Sequence, residues 1–211
     1  MPSRSQDDAG IVVPLRSFTL GKARLAAALS EHERETLARS MAECVVNAAG
    51  ARPVAVVSSS TEVVAWARKR GHDVIDDPGS LDAAAAAGRS WAISRALSRY
   101  AVVHADLPLA RSFDAVLTDG DAPVAVIVPD HRNDGTPVLS LPSRVPFTFA
   151  YGPDSAARHA GEAARRSLTV RILRDAALAF DVDTAADLDA LDALDALRPT
   201  PAPTPTPTPT K

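Results

Sequence analysis

The sequence predicts a three-layer α/β sandwich with a mostly parallel sheet, and two observations lead to this fold class. Unbroken apolar runs at residues 11–15, 53–58 and 100–105 are typical of strands that are covered on both faces. Helical segments separate these runs as far as residue 105, which is the order of parallel βαβ units. We expect the crossovers between these strands to be right-handed.

Local signals define the elements of the first half. Ser30 and Glu33 predict a capping box at the start of a helix that Gly50 ends. Thr61 is the expected cap of a second helix, which ends at Gly71. A short strand over residues 72–76 and a long Ala-rich helix over about 81–99 follow. The inner face of the first helix consists of residues at helical spacing: Leu37, Met41, Val45 and Ala48.

The second half is less regular. Residues 123–129 and 169–173 predict strands, residues 138–141 predict an edge or inserted strand, and residues 178–181 predict a short extended piece. The loops over 130–136 and 147–153 are rich in polar and turn residues. Asp154 and Thr184 are the expected caps of two further helices. Leu188, Leu191 and Leu194 repeat every three residues along the last one.

Composition limits the function. The chain has 211 residues, a net charge of −3 and a pI near 5.9, which argues against general nucleic-acid binding. The only cysteine, Cys44, excludes an internal disulfide. No apolar run approaches a membrane span and no signal peptide is evident, so we expect a cytoplasmic protein. We expect a flexible arm over residues 1–10, one domain over 11–197 and a disordered Pro/Thr-rich tail over 198–211.

Three aspartates in two distant motifs are the first candidates for chemistry. Asp106 ends an apolar run and precedes Leu107 and Pro108, whereas Asp181 and Asp183 precede the last helix. Open α/β sheets bind ligands at the carboxyl ends of their strands, and converging carboxylates suit Mg²⁺ and a nucleoside triphosphate. The plain alternatives are a strand terminus at Asp106 and helix-capping residues at Asp181 and Asp183.

A basic loop follows the first strand. Arg16, Lys22 and Arg24 lie close to Gly21, between a strand and a helix, where backbone N–H groups and cations can bind phosphates. The loop lacks the G-x-x-x-x-G-K-[ST] pattern of a Walker A motif. Taken alone, these residues are equally compatible with a solvated loop.

Five stretches together resemble one enzyme family. They are residues 14–25, 105–108, 128–136, 151–159 and 180–188, and they occur in family order. The chain resembles the 2-phospho-L-lactate and phosphoenolpyruvate guanylyltransferases, the CofC/FbiD family of coenzyme F(420) biosynthesis. The resemblance implies a Rossmann-like fold of the GT-A-like nucleotidyltransferase type.

The resemblance also implies roles for individual residues and Mg²⁺ as the cofactor. Lys22 and Asp106 would be catalytic. Arg16, Lys22, Arg24 and Asp82 would bind GTP. The phosphorylated acid would be held by Thr136, Gly152 and Ser155, and the metal by Asp106, Asp181 and Asp183.

The implied reaction is GMP transfer from GTP to a small phosphorylated three-carbon acid, with release of pyrophosphate. Phosphoenolpyruvate is our first choice, because the composition suggests a GC-rich genome and hence an actinobacterial source; 2-phospho-L-lactate and 3-phosphoglycerate stay open. Asp82 stands where the family usually has Asn, and Pro137 follows Thr136 where Asn is frequent. These departures leave two alternatives: a cytidylyl- or uridylyltransferase of the same fold, and a non-catalytic nucleotide-binding protein. A homodimer and a downstream transferase as partner are both compatible with the sequence.

Overall fold

The computed structural model describes residues 8–20, 22–117 and 122–196, and the side chains of this part as far as residue 193. The described strands are β1 (Ala9–Pro14), β2 (Val54–Val57), β3 (Asp73–Ile75), β4 (Arg99–Val103), β5 (Val124–Val128), β6 (Val138–Pro142) and β7 (Thr169–Ile172). The helices are α1 (Glu31–Ala48), α2 (Thr61–Lys69), α3 (Leu81–Ser94), α4 (Asp114–Leu117), α5 (Ser155–Arg165) and α6 (Ala185–Ala196).

The strands form one mixed sheet in the order β3-β2-β1-β4-β6-β5-β7. The predicted parallel part is confirmed, because β1 pairs in parallel with both β2 and β4, and β2 pairs in parallel with β3. The segment expected to be an edge or inserted strand is inserted: β6 runs antiparallel between β4 and β5. The carboxyl ends of β1 and β4 therefore lie side by side.

Helices cover both faces of the sheet. Alternate residues of one strand point to opposite layers, so that Ile11 and Val13 join the cluster under α1 and α2, while Val12 joins the cluster under α3 and α5. Gly88 lets α3 approach β1 closely, because a Cβ there would lie 2.4 Å from a methyl group of Val12. This arrangement confirms the predicted three-layer sandwich.

Several predicted element ends need correction. β1 begins at Ala9, inside the arm predicted over residues 1–10. Thr61 is the first residue of α2, and the cap position belongs to Ser60. The Ala-rich helix ends at Ser94 rather than near residue 99, because Ala96 adopts a left-handed conformation and the chain enters β4 at Arg99. By contrast, the capping box of Ser30 and Glu33 is confirmed in both directions.

The last third of the chain shows two further differences. Asp154 precedes α5 but has a left-handed backbone and makes no side-chain capping bond. Residues 178 and 179 lie in a turn and a bend, and residues 180 and 181 have no regular secondary structure, so no strand forms there. The expected cap of α6 is present, since the hydroxyl of Thr184 accepts from the backbone N–H of Asp187 at 3.3 Å.

Some predictions concern residues outside this description. The tail over 198–211 and most of the N-terminal arm lie there, as do Gly21 and the side chain of Leu194. In the part of the chain that the structure describes, no helix is long and apolar enough to cross a lipid bilayer.

Candidate active site

A cleft of about 290 Å³ opens at the carboxyl ends of β1 and β4. Its floor comes from Pro14 and Leu15 after β1 and from Ala105 after β4. The polar side chains that line it belong to Arg16, Ser17, Lys22, His104, Asp106 and Asp183. This is the edge at which α/β sheets bind ligands.

Lys22 connects the two acidic motifs. Its Nζ lies 2.6 Å from Oδ2 of Asp106 and 2.9 Å from Oδ1 of Asp183, and only 10% of its side chain is exposed. The backbone N–H of Val182 also donates to the carbonyl of Asp106, at 3.3 Å. The structure therefore brings Lys22, Asp106 and Asp183 together, whereas Asp181, the third aspartate of the predicted set, is not among the residues that line the cleft.

The backbone at Lys22 is unusual for a residue with a side chain. Its φ of 59° and ψ of 35° lie in the left-handed region, which residues other than glycine rarely adopt. The residue immediately precedes a 3-10 turn, Ala23–Leu25, whose Leu25 is buried beside α1 and α6. Left-handed residues of this kind occur often at functional sites, where the surrounding structure holds them.

The charges in the cleft depend on one another. Burial acts to lower the pKa of Lys22, but the carboxylates of Asp106 and Asp183 outweigh it and hold the pKa above its usual value. Burial acts to raise the pKa of Asp106, but the ammonium group of Lys22 keeps it below the ordinary range. For Asp181, burial and the charges of Asp106 and Asp183 all raise the pKa. The site thus combines one ammonium group with a surplus of acidic side chains.

Two carboxylate oxygens are available for a ligand. Oδ1 of Asp106 and Oδ1 of Asp181 are buried and have no hydrogen-bond partner among the described residues, although Nδ1 of His131 lies 3.2 Å from the latter. Such hard oxygen donors fit Mg²⁺, which needs only one or two carboxylates when it binds together with phosphates. Within residues 8–20, 22–117 and 122–193, however, no three acidic, His or Cys side chains are grouped as a metal site. The three-aspartate metal set stays a prediction.

The other two basic residues of the predicted phosphate loop differ in position. Arg16 lies on the wall between this cleft and an adjoining one of about 330 Å³, where it donates to the carbonyl of Gly79 at 3.0 Å. Arg24 is exposed on the 3-10 turn and does not line either cleft. The structure therefore brings Arg16, but not Arg24, to the site with Lys22.

Asp82 has a role that sequence reasoning did not anticipate. Its Oδ1 accepts the backbone N–H of Tyr151 at 2.7 Å, which attaches the loop over residues 147–153 to the first turn of α3. The adjoining cleft is lined by its neighbours Ser80, Leu81 and Ala84 rather than by Asp82 itself. This position favours an anchoring role over direct contact with a nucleotide base.

The hydroxyl groups of Thr136 and Ser155 lie next to each other, and His159 joins them. The two hydroxyl oxygens lie 2.9 Å apart, and Nδ1 of His159 lies 3.1 Å from Oγ1 of Thr136. The other ring nitrogen accepts the N–H of Ala150 at 3.1 Å, so in the neutral ring Nδ1 carries the proton. Burial lowers the pKa of His159 to about 4, which keeps the ring neutral. Thr136 consequently receives a hydrogen bond and can donate its own proton to Ser155.

Gly152 permits the turn that places Ser155 at the start of α5. Its φ of +100° is accessible to glycine but strained for other residues, and its carbonyl accepts the N–H of Ser155 at 3.1 Å. The loop that carries Thr136 is held to the same turn, since Asp134 Oδ1 accepts the N–H of Asp154 at 2.6 Å. The three predicted acid-binding residues thus belong to one connected piece of structure.

Asp187 is an important residue that the sequence did not single out. Both its oxygens accept from Arg132, at 2.7 and 2.9 Å, and Oδ2 also accepts from the backbone N–H groups of Asp183 and Thr184. The carboxylate therefore ties the loop over 130–136 to the backbone of Asp183. The Thr184-x-x-Asp187 spacing, a capping box, is the signal that could have revealed it.

Comparison with solved structures identifies the fold. A protein described as a nucleotide-diphospho-sugar transferase from Desulfovibrio desulfuricans G20 matches with a TM-score of 0.70 at 16% identity, over 88% of this chain and 86% of that one. A 4-diphosphocytidyl-2C-methyl-D-erythritol synthase from Anaerococcus prevotii matches with a TM-score of 0.61 at 10% identity, over 90% and 97%. At these identities the likeness concerns the fold, which is that of the nucleotidyltransferases.

Sequence comparison gives the family. The model of guanylyl transferases described as CofC-like matches residues 9–192. A phosphoenolpyruvate guanylyltransferase of Rubrobacter xylanophilus is 38% identical, over 86% of this chain and 92% of the relative. A 3-phospho-D-glycerate guanylyltransferase of Phenylobacterium zucineum is 32% identical, over 83% and 86%. The chain belongs to the CofC-like guanylyl transferase family, as the resemblance of its motifs had suggested.

Proposed function

We propose that this protein transfers GMP from GTP to a phosphorylated three-carbon acid and releases pyrophosphate, as a step of coenzyme F(420) biosynthesis. Phosphoenolpyruvate is the first acceptor to test, because relatives such as the one from Sphaerobacter thermophilus, 36% identical, bear that name. The observation that carries the proposal is the position of Lys22, between Asp106 and Asp183 at the carboxyl edge of the sheet. Its substrates would place the reaction in the cytoplasm.

The chemistry requires charge neutralisation more than a strong base. A phosphate oxygen of the acid attacks the α-phosphorus of GTP, the bond to the β,γ-diphosphate breaks, and pyrophosphate leaves. Lys22 would stabilise the negative charge on the phosphates, and the protein would align the two substrates. Mg²⁺, held by Asp106, Asp181 and Asp183, would supply further neutralisation of the triphosphate.

The two adjoining clefts suggest where GTP would lie. They share Pro14, Leu15, Arg16 and Leu81 in their walls. The triphosphate would bind beside Lys22, and the guanosine would extend past Arg16 towards Ser80 and Ala84 at the start of α3. Arg24 would act only through its charge, since it lies outside both clefts.

The acceptor acid would bind on the other side of Asp106. Thr136 and Ser155 carry hydroxyl groups, which are buried in this structure, and Gly152 supplies the turn at the N-terminus of α5. Ser155 has a proton to donate once it accepts from Thr136, which matches an anionic ligand. In this arrangement Asp82 would support the acid site through Tyr151 instead of reading the guanine base.

A pyrophosphate-release assay tests the proposal. GTP, CTP and UTP are each combined with phosphoenolpyruvate, 2-phospho-L-lactate or 3-phosphoglycerate, with and without Mg²⁺. We expect release that needs GTP, Mg²⁺ and one of the acids. Turnover with CTP or UTP but not with GTP would favour a cytidylyl- or uridylyltransferase. Nucleotide binding without turnover in any combination would favour the non-catalytic alternative that the departures at Asp82 and Pro137 raise.

A further inference from the structure

We propose that His104 contacts the acceptor acid, with its Nε2 donating a hydrogen bond to an anionic oxygen of that substrate. This inference rests on the proposed function and extends it to a residue that sequence reasoning did not assign. His104 lies two residues before Asp106 and lines the same cleft as Lys22 and Asp106. The imidazole would make His104 a determinant of acceptor binding rather than of nucleotide binding.

The position of His104 connects the two halves of the site. Its backbone N–H donates to the carbonyl of Pro137 at 2.9 Å, directly after Thr136. Its ring lies against that of Tyr151, with centroids 5.7 Å apart, and Tyr151 in turn contacts His159 edge-on at 4.8 Å. A substrate that extends from Asp106 towards Thr136 and Ser155 would therefore pass beside this imidazole.

The hydrogen bonding of His104 is incomplete without a ligand. Its Nε2 is buried and has no hydrogen-bond partner among the described residues. A buried polar atom without a partner is costly, and native structures seldom retain one without a reason. A phosphorylated acid supplies acceptor oxygens and no strong donor, so an imidazole N–H complements it.

A packing role alone does not explain why the side chain at position 104 is a histidine. An apolar residue would fill the space beside Tyr151 without leaving a buried nitrogen unpaired. The ring instead lies between the two sides of the site, because it shares the cleft with Asp106 and contacts Tyr151 on the side of the hydroxyl groups.

Steady-state kinetics of His104→Phe and His104→Gln test the assignment. In the Phe variant we expect the KM for the acid to rise roughly 10- to 100-fold, the effect of losing one hydrogen bond to a charged group, with less than about a 3-fold change in the KM for GTP. Gln offers a donor at a similar reach, so it should recover much of the acid affinity. GTP binding by both variants verifies that they fold.

A matched substitution far from the cleft provides the control. His72→Phe changes the same side chain just before the edge strand β3, outside the cleft, and should leave both KM values unchanged. An unchanged acid KM in His104→Phe, or an equal rise in both KM values, would overturn the assignment while leaving the proposed function intact. Absence of turnover by the unmodified protein with every acid would overturn both.

Discussion

Nζ of Lys22 lies 2.6 Å from Oδ2 of Asp106, although 84 positions separate the two residues in the sequence. The pair exists because β1 and β4 are parallel neighbours whose carboxyl ends open into one cleft. Asp183 reaches the same ammonium group from a third segment, 161 positions from Lys22. The sheet order therefore assembles a charged centre from three remote parts of the chain.

Replacing Lys22 tests that centre. Lys22→Met keeps the length of the side chain but removes the charge, so we expect GMP transfer to fall roughly 10²- to 10³-fold. Without the ammonium group, burial should also raise the pKa of Asp106. Pyrophosphate release measures the first effect. Lys69→Met, an exposed lysine at the end of α2, is the matched control and should retain full activity.

The carboxylates should control the magnesium dependence. Asp106→Asn and Asp183→Asn each remove a negative charge next to Lys22, so we expect a loss of at least about 10²-fold in kcat/KM and a higher Mg²⁺ requirement. Magnesium titration of the reaction rate measures both. Asp189→Asn, an exposed position on α6, is the control. A variant that kept its activity at low Mg²⁺ would remove that aspartate from the metal site.

The carboxylate of Asp187 should make the free energy of unfolding depend on pH. Burial acts to raise the pKa of this carboxyl, but hydrogen bonds from Arg132, Thr184 and the backbone outweigh it and hold the pKa below its ordinary value. Because the pKa is depressed in the folded state, the ionised carboxylate stabilises the fold at pH values above the ordinary pKa of aspartate. This contribution is lost as the pH falls from about 5 towards 2. We expect Asp187→Asn to cost roughly 1–3 kcal/mol near neutral pH, and less in acid.

Denaturant unfolding at several pH values measures this difference. The gap in unfolding free energy between the unmodified protein and Asp187→Asn should narrow as the pH is lowered through the acid range. Asp189→Asn should show no such gap. A gap that stayed constant with pH would show that the charge of Asp187 is not the stabilising feature.

Substitution of Asp82 distinguishes a residue that anchors the loop of Tyr151 from a residue that contacts the guanine base. Asp82→Ala removes the acceptor for the N–H of Tyr151, so we expect a higher KM for the acid by about 3- to 10-fold, in the range of one lost hydrogen bond. Asp82→Asn keeps a carbonyl acceptor, so its KM for the acid should be close to that of the unmodified protein. If Asp82 read guanine, the KM for GTP would rise instead.

Much of the fold could be predicted because its signals are local. The apolar runs of β1, β2 and β4 specify buried parallel strands, and their topology then requires the residues at their ends to converge. The position of β6 in the sheet could not be predicted, because the sequence of residues 138–142 does not indicate which strands it pairs with. The end of α3 was missed for a similar reason: Ala96 takes a left-handed conformation without the usual glycine.

The site was predictable where a residue type carries the chemistry. Lys22, Asp106 and Asp183 were found because charge at strand ends is visible in the sequence. The ion pair of Asp187 with Arg132 and the anchoring bond of Asp82 depend on loops that meet only in the folded chain. The exclusion of Arg24 from the cleft depends on the direction of one 3-10 turn. Contacts of this kind follow from tertiary packing and leave no pattern in a single sequence.

The most direct test of the charged centre is calorimetric titration of GTP into the protein, with and without Mg²⁺, for the unmodified chain and for Lys22→Met. We expect magnesium-dependent binding of GTP that CTP does not displace, together with a marked loss of affinity in the variant. Equal GTP affinity in the two proteins, or no binding by either, would contradict this expectation.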